Sequence, residues 1–163
     1  MSAILFGADK WIYQTLTTDA TLKTLMANAW AAVQDPAVLI PPAVRPDEWC
    51  FSNLMVRGAA SNNGFPCVVF NSMSATDINA NFARRLATKA LYQVKVISRG
   101  GGFSDINLIY DRVDTLLNGV PQATVDNVVI QSCIRQQAIA YSKIEDTVRY
   151  NYLGGLYSLF INR

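Results

Sequence analysis

The 163 residues include no histidine. That absence excludes Ser-His-Asp and Cys-His catalytic arrangements, histidine metal sites and a histidine pH switch. Cysteine is scarce as well. Cys50, Cys67 and Cys133 are odd in number and have no short spacing. They form neither a disulfide framework nor a CxxC zinc or redox site, and scattered thiols fit a reducing compartment. Charge is thin, at 16% of residues against about 25% in an average globular domain. With 51% hydrophobic residues, wholesale disorder is excluded. The balance also points to extra buried surface, as in an obligate oligomer. A net charge of +2 is too small to mark nucleic-acid binding by itself. No apolar run approaches the roughly 18 residues of a membrane span. The start, MSAILFGADKW, lacks the charged end and long apolar run of a signal peptide. The expectation is a soluble protein with no membrane partner, used without export.

What is present reads as one domain over residues 1–163, because a domain takes roughly 100–200 residues. Residues 3 to about 28 are helical in pattern, carrying Ile4, Leu5, Ile12, Leu16, Leu22, Leu25 and Met26. Thr17-Thr18-Asp19 interrupts them, and Thr18 or Asp19 is suited to cap a second short helix. Trp30 to Val33 reads as a short strand. Residues 34–48 then hold four of the six prolines. This stretch is expected to be extended, as part of an insertion at about 34–64. It is either a loop lying on the body or an arm that docks on a neighbouring subunit. Residues 57–64, RGAASNNG, read as a polar loop.

FPCVVF, from Phe65, opens a strand running to about Thr76, with Asp77-Ile78-Asn79 near a connection. Residues 86–99 alternate. Leu86, Tyr92, Val94 and Val96 share one face, and Lys89, Gln93, Lys95 and Arg99 lie on the other with Leu91 and Ile97. After Gly100-Gly101-Gly102, a helix is expected over about 104–118. Ile106, Ile109, Tyr110, Val113, Leu116 and Leu117 fall on one helical face, Ser104 is suited to the N-cap, and Gly119 and Pro121 stop the helix. Val125 to Tyr141 and Gly155 to Ile161 read as strands, with Tyr157, Leu159 and Ile161 on one face. This order predicts an α+β fold. A mainly antiparallel sheet carries the N-terminal helix and the helix at about 104–118 on one face.

Candidate chemistry is sparse. The strand, glycine turn and helix start at Val94–Ser104 outline a phosphate site. Yet no lysine follows the glycines and no GxGxxG is present, so a sharp turn is the better reading. Asp47/Glu48 and Glu145/Asp146 are adjacent loop acids without a supporting signature. No catalytic residue, cofactor site or metal site is assigned, and an enzyme is not expected. Tyr141, Tyr150, Tyr152, Tyr157 and Phe160, like Trp11, Trp30 and Trp49, read as packing or interface anchors. Charge is uneven. Residues 78–104 carry Arg84, Arg85, Lys89, Lys95 and Arg99 and no acid, a net +5 that leaves the remainder, nine bases and twelve acids, at −3. This strand is a solvated sheet face, a contact for an acidic partner or a nucleic-acid surface. The lysine face has little aromatic interleaving, so base stacking is unsupported.

One resemblance covers residues 3–28 and 65–163. LTTDATLKTLM, FPCVVF, LYQVKVISRG, FSDINLIYDRVDTLLNG, VVIQSCIRQQ, EDTVRY and GGLYSLFI follow one another in an order similar to that of the phage tail-terminator and tail-completion family. The resemblance implies a subunit of a hexameric ring in the virion, assembled in the host cytoplasm. Such a ring caps the tail tube, ends its polymerisation and meets the head connector and neck proteins. DNA passes through its lumen without sequence-specific binding. The family brings no catalytic residues. Arg84, Arg85, Lys89 and Lys95 are then candidate contacts to an acidic neighbour, placed away from the channel. Another neck ring, a head–tail connector, is the alternative.

Overall fold

The computed structural model describes residues 3–33, 66–80, 84–145 and 147–162. The Pro-rich stretch, the 57–64 loop, Cys50, Asp47/Glu48 and Asp146 lie outside these residues. The described elements are α1 (Ala3–Thr18), α2 (Ala20–Val33), β1 (Cys67–Ala80), β2 (Arg84–Arg99), α3 (Ser104–Leu117), β3 (Ala123–Val125), β4 (Val128–Glu145) and β5 (Val148–Asn162). The strands form one sheet in the order β1-β2-β5-β4-β3, and every pair is antiparallel. The expected α+β class and its antiparallel sheet are what the chain adopts.

Local chemistry sets the element ends. Asp19 breaks α1 from α2 and caps the second helix, its Oδ1 accepting from the Leu22 amide at 2.6 Å. The same carboxylate takes a two-pronged contact from Arg112 of α3, Nε to Oδ1 at 3.1 Å and Nη2 to Oδ2 at 2.6 Å. One residue thus ends a helix, starts the next and ties both to a third. Asp126 and Asn127 both take positive φ, 49° and 64°, giving the two-residue turn whose twist matches a β-hairpin. Lys10 of α1 reaches Asp126 at 2.5 Å.

The helices cover one face of the sheet. Ile4, Ala8, Trp11, Ile12, Leu22 and Met26 meet Ile106, Ile109, Val113 and Leu117 of α3 above Tyr92, Val94, Val96, Tyr157, Leu159 and Ile161. Each such fully buried large apolar side chain contributes about 1.5–3 kcal/mol. Gly7 lets α1 approach β4, because a Cβ there would stand 2.6 Å from Val128 Cγ2.

Four expectations are corrected. Trp30 to Val33 is the end of α2, where Ala-rich ANAWAAV continues the helix. β1 runs past Thr76 to Ala80, with Asp77, Ile78 and Asn79 inside the strand. Leu86 leaves the Tyr92 face: a register shift between Ile78 and Asn79 places it in a bulge, 56% exposed. Ser104 begins α3 but does not cap it. Phe103 holds the N-cap position with helical φ and ψ and no side-chain cap bond. Gly119, at φ 74°, follows the helix as expected.

Candidate assembly surface

The sheet face turned from the helices carries some of the residues that sequence reasoning singled out. Alternation puts Lys89, Leu91, Gln93, Lys95 and Ile97 of β2 on it, opposite Tyr92, Val94 and Val96 in the core. Two ladder rungs fix its extent. Cys67 pairs with Ile97, Ile97 with Tyr152 and Tyr152 with Tyr141. Thr76 pairs with Lys89, Lys89 with Phe160 and Phe160 with Ser132. A second small apolar cluster lies near the first rung, with Ile97 and Tyr150 buried against Cys67, Val69, Val148 and Tyr152. Outward from it, Tyr141 stacks on Tyr152 with ring centroids 4.5 Å apart and planes 9° apart.

The two candidate lysines have different surroundings. Lys89 is exposed on this face. Lys95 is 3% exposed, with its ammonium 5.7 Å from the centre of the Tyr152 ring. Burial lowers its pKa. Its cross-strand neighbour on β5 is Gly154. A Cβ on Gly154 would stand 2.2 Å from the Val94 carbonyl oxygen and 2.8 Å from Lys95 Cα, so only glycine permits this approach. Arg84 and Arg85 begin β2, where they pair with Ala80 and Asn79 beyond the last β5 rung, Thr88 to Ile161. A cluster of charge in sequence therefore becomes a line along one strand, divided between surface and interior.

The glycine turn is held from beneath by a residue that local sequence reading missed. Asn151 is fully buried. Its Nδ2 donates to the carbonyls of Gly100 at 3.0 Å and Gly101 at 3.3 Å, and to Ser98 Oγ at 3.4 Å, while its Oδ1 accepts from Ser142 Oγ at 2.7 Å. The Gly100 amide donates to the Arg149 carbonyl at 2.7 Å. Gly100 and Gly101 both have positive φ. The Gly100 amide, the kind of donor a phosphate cradle would turn to its anion, is spent on the Arg149 carbonyl, which supports a turn.

A second network closes the far end of α3. Tyr157, buried on β5, donates to Asp114 Oδ1 at 2.9 Å. Arg135 of β4 meets Asp114 Oδ2 at 2.9 Å and donates to the Tyr110 hydroxyl at 2.8 Å. Burial, foremost, keeps the Tyr157 phenol protonated. These residues lock helix to sheet.

The other chemical candidates are occupied or quenched. Glu145 is paired with Lys143. Burial pushes the thiols of Cys67 and Cys133 up to about 12, far from the thiolate form that attacks or ligates. Among the described residues no group of three His, Cys, Asp or Glu could hold a metal ion, and no helix is long and apolar enough to cross a membrane.

No protein-family description matches the chain, and no curated protein matches it. Seven chains of solved structures do. One is a chain of the "virion of native gene transfer agent (GTA) particle". It aligns with a TM-score of 0.57 over 98% of this chain and 99% of that one, at 13% sequence identity. At this identity the likeness is one of fold, and it runs end to end.

Proposed function

We propose that the protein is a virion structural subunit of a ring that caps the tail tube. The ring ends tube polymerisation and joins the tail to the head connector. The observation that carries the proposal is the end-to-end likeness in fold to a chain of a gene transfer agent virion. The tail-terminator resemblance in the sequence supplies the finer role and the hexameric number. The polar networks around Asp114 and Asn151 bind helix to sheet and turn to strand, as suits a rigid building block. The protein has no enzymatic role in this account and takes no cofactor.

Its partners are further copies of itself, the tail-tube protein and the neck proteins, and DNA crosses the lumen without sequence-specific contact. Lys89, with Arg84 and Arg85 on the same strand, meets an acidic surface of a neighbour and sets orientation. Lys95 acts within the protomer by supporting Tyr152. A rotationally closed ring needs heterologous contacts, with different patches on the two sides of each subunit.

Negative-stain imaging of the purified protein, alone and with tail tubes assembled without it, tests this reading. Rings with a central hole that sit on tube ends are expected. Rings that ignore tubes would instead indicate a head–tail connector. Protein that stays monomeric and leaves tubes bare would overturn the reading.

A further inference from the structure

We propose that the subunits join by strand addition, with β1 of one protomer pairing antiparallel to β4 of the next so that one sheet runs around the ring. This rests on the ring reading above and specifies its contact.

Among the described residues the sheet has two long open edges. β1, Cys67–Ala80, is one outer strand. At the other side β3 covers only Val128–Ile130 of β4. Among the described residues the rest of that edge, from Gln131 on, has no strand partner. An unpaired edge is a template for another strand, and natural edges are commonly guarded by lysine, proline or short length. β1 contains no lysine, arginine or proline.

The two edges match in direction, level and shape. Each strand opposes its neighbour from β1 through β2 and β5 to β4, so β1 and β4 run oppositely. Rotation about an axis along the strands preserves direction, and β1 of a neighbouring copy therefore meets β4 antiparallel. The rungs through Ile97 and Lys89 place Cys67–Thr76 level with Ser132–Tyr141. Both stretches bulge at the same height. Met73 bulges beside the Ser72–Tyr92 pair, and Gln136 beside the Tyr157–Arg135 pair, with Tyr92 facing Tyr157 between them. Edges that bend at one level can twist together.

Exposure points the same way. Of nine large apolar side chains exposed among the described residues, five lie on these two strands: Met73, Ile78, Ile134, Tyr141 and Ile144. Level pairing would set Tyr141 across from Cys67, and Ala140, Ile139 and Ala138 across from Val68, Val69 and Phe70, the apolar contact that stabilises sheets.

Hydrogen–deuterium exchange on the unmodified protein, as monomer and as ring, tests the proposal. Outward-facing amides within Cys67–Thr76 and Ser132–Tyr141 should slow by about tenfold or more on assembly. The double variant Met73→Lys, Ile134→Lys changes two exposed side chains within these stretches. It should raise the concentration needed for rings by about tenfold or more, as guarding charges do. Leu108→Lys, at a site 63% exposed on α3, should not. Rings that form while these amides exchange at monomer rates would overturn strand addition and leave the ring reading standing. No ring under any condition, tubes included, would overturn both.

Discussion

Asn151 holds Gly100 by donating its side-chain amide to the glycine carbonyl at 3.0 Å, from a fully buried position. The pair joins β5 to the turn that launches α3, and it commits the glycine run to structure. Asn151→Ala leaves the Gly100 and Gly101 carbonyls without this donor. It should cost about 1–3 kcal/mol in urea denaturation, the usual loss when buried polar groups lose a partner. Asn151→Asp should fare no better, since a carboxylate cannot donate to carbonyls. Stability equal to wild type in both variants would contradict this account of the turn.

Asp19 links acid sensitivity to the helix layer. The Arg112 hydrogen bonds, foremost, hold its carboxyl below the usual carboxylate range. Its contribution is therefore fully present above the ordinary value near pH 4 and lost as pH falls through the lowered folded-state value. Asn also caps helices, so Asp19→Asn keeps the cap and removes the charge. The stability gap between wild type and Asp19→Asn should shrink from about pH 5 to about pH 2. Asp19→Ala should lose about 1 kcal/mol more for the missing cap. A gap that is constant with pH would separate Asp19 from acid unfolding.

Gly154→Ala tests the close strand approach. Its added methyl would lie 2.2 Å from the backbone oxygen of Val94, which no side-chain rotation can relieve. Overpacking of this kind costs about 1–3 kcal/mol or more, and here the central β2–β5 pair must shift. A lowered melting temperature with altered Tyr152 fluorescence is expected. An unchanged melting temperature would show that the strands part freely at this point.

Lys89, exposed on β2, and Arg85, earlier on the same strand, are expected to serve contacts between molecules. Arg85→Glu with Lys89→Glu should prevent ring formation or docking on tubes, while thermal unfolding of the monomer changes little. Wild-type assembly should weaken with added salt, because contacts between exposed charges are screened. Unchanged assembly in the double variant, measured by sedimentation, would remove these residues from the interface.

Much of the fold is legible in the sequence because local periodicity and core burial coincide. Ile106, Ile109 and Val113 mark α3 by spacing alone, and Tyr157, Leu159 and Ile161 mark β5 by alternation. The errors arise where a long-range contact or a register decides. Leu86 continues the alternation in sequence, yet a bulge against β1 moves it out. Ser104 has cap chemistry, but the backbone places Phe103 at that position. Asn151 carries no local signal, since its partners lie about 50 residues earlier in the glycine turn. Lys95 reads as a surface cation by alternation, and Gly154 across the ladder gives it room to lie buried. The match between the two edges appears only when β1 and, beyond the three residues that β3 covers, β4 emerge on opposite sides of one sheet.

A ring that caps the tube, as proposed above, must end tail-tube growth. The direct measurement adds the protein to polymerising tube subunits from its own particle and follows tube length by electron microscopy. Tubes should stop lengthening once capped at one end by a ring, with mean length falling as more protein is added. Tubes that grow to the same lengths with and without the protein, their ends uncapped, would contradict the proposed role.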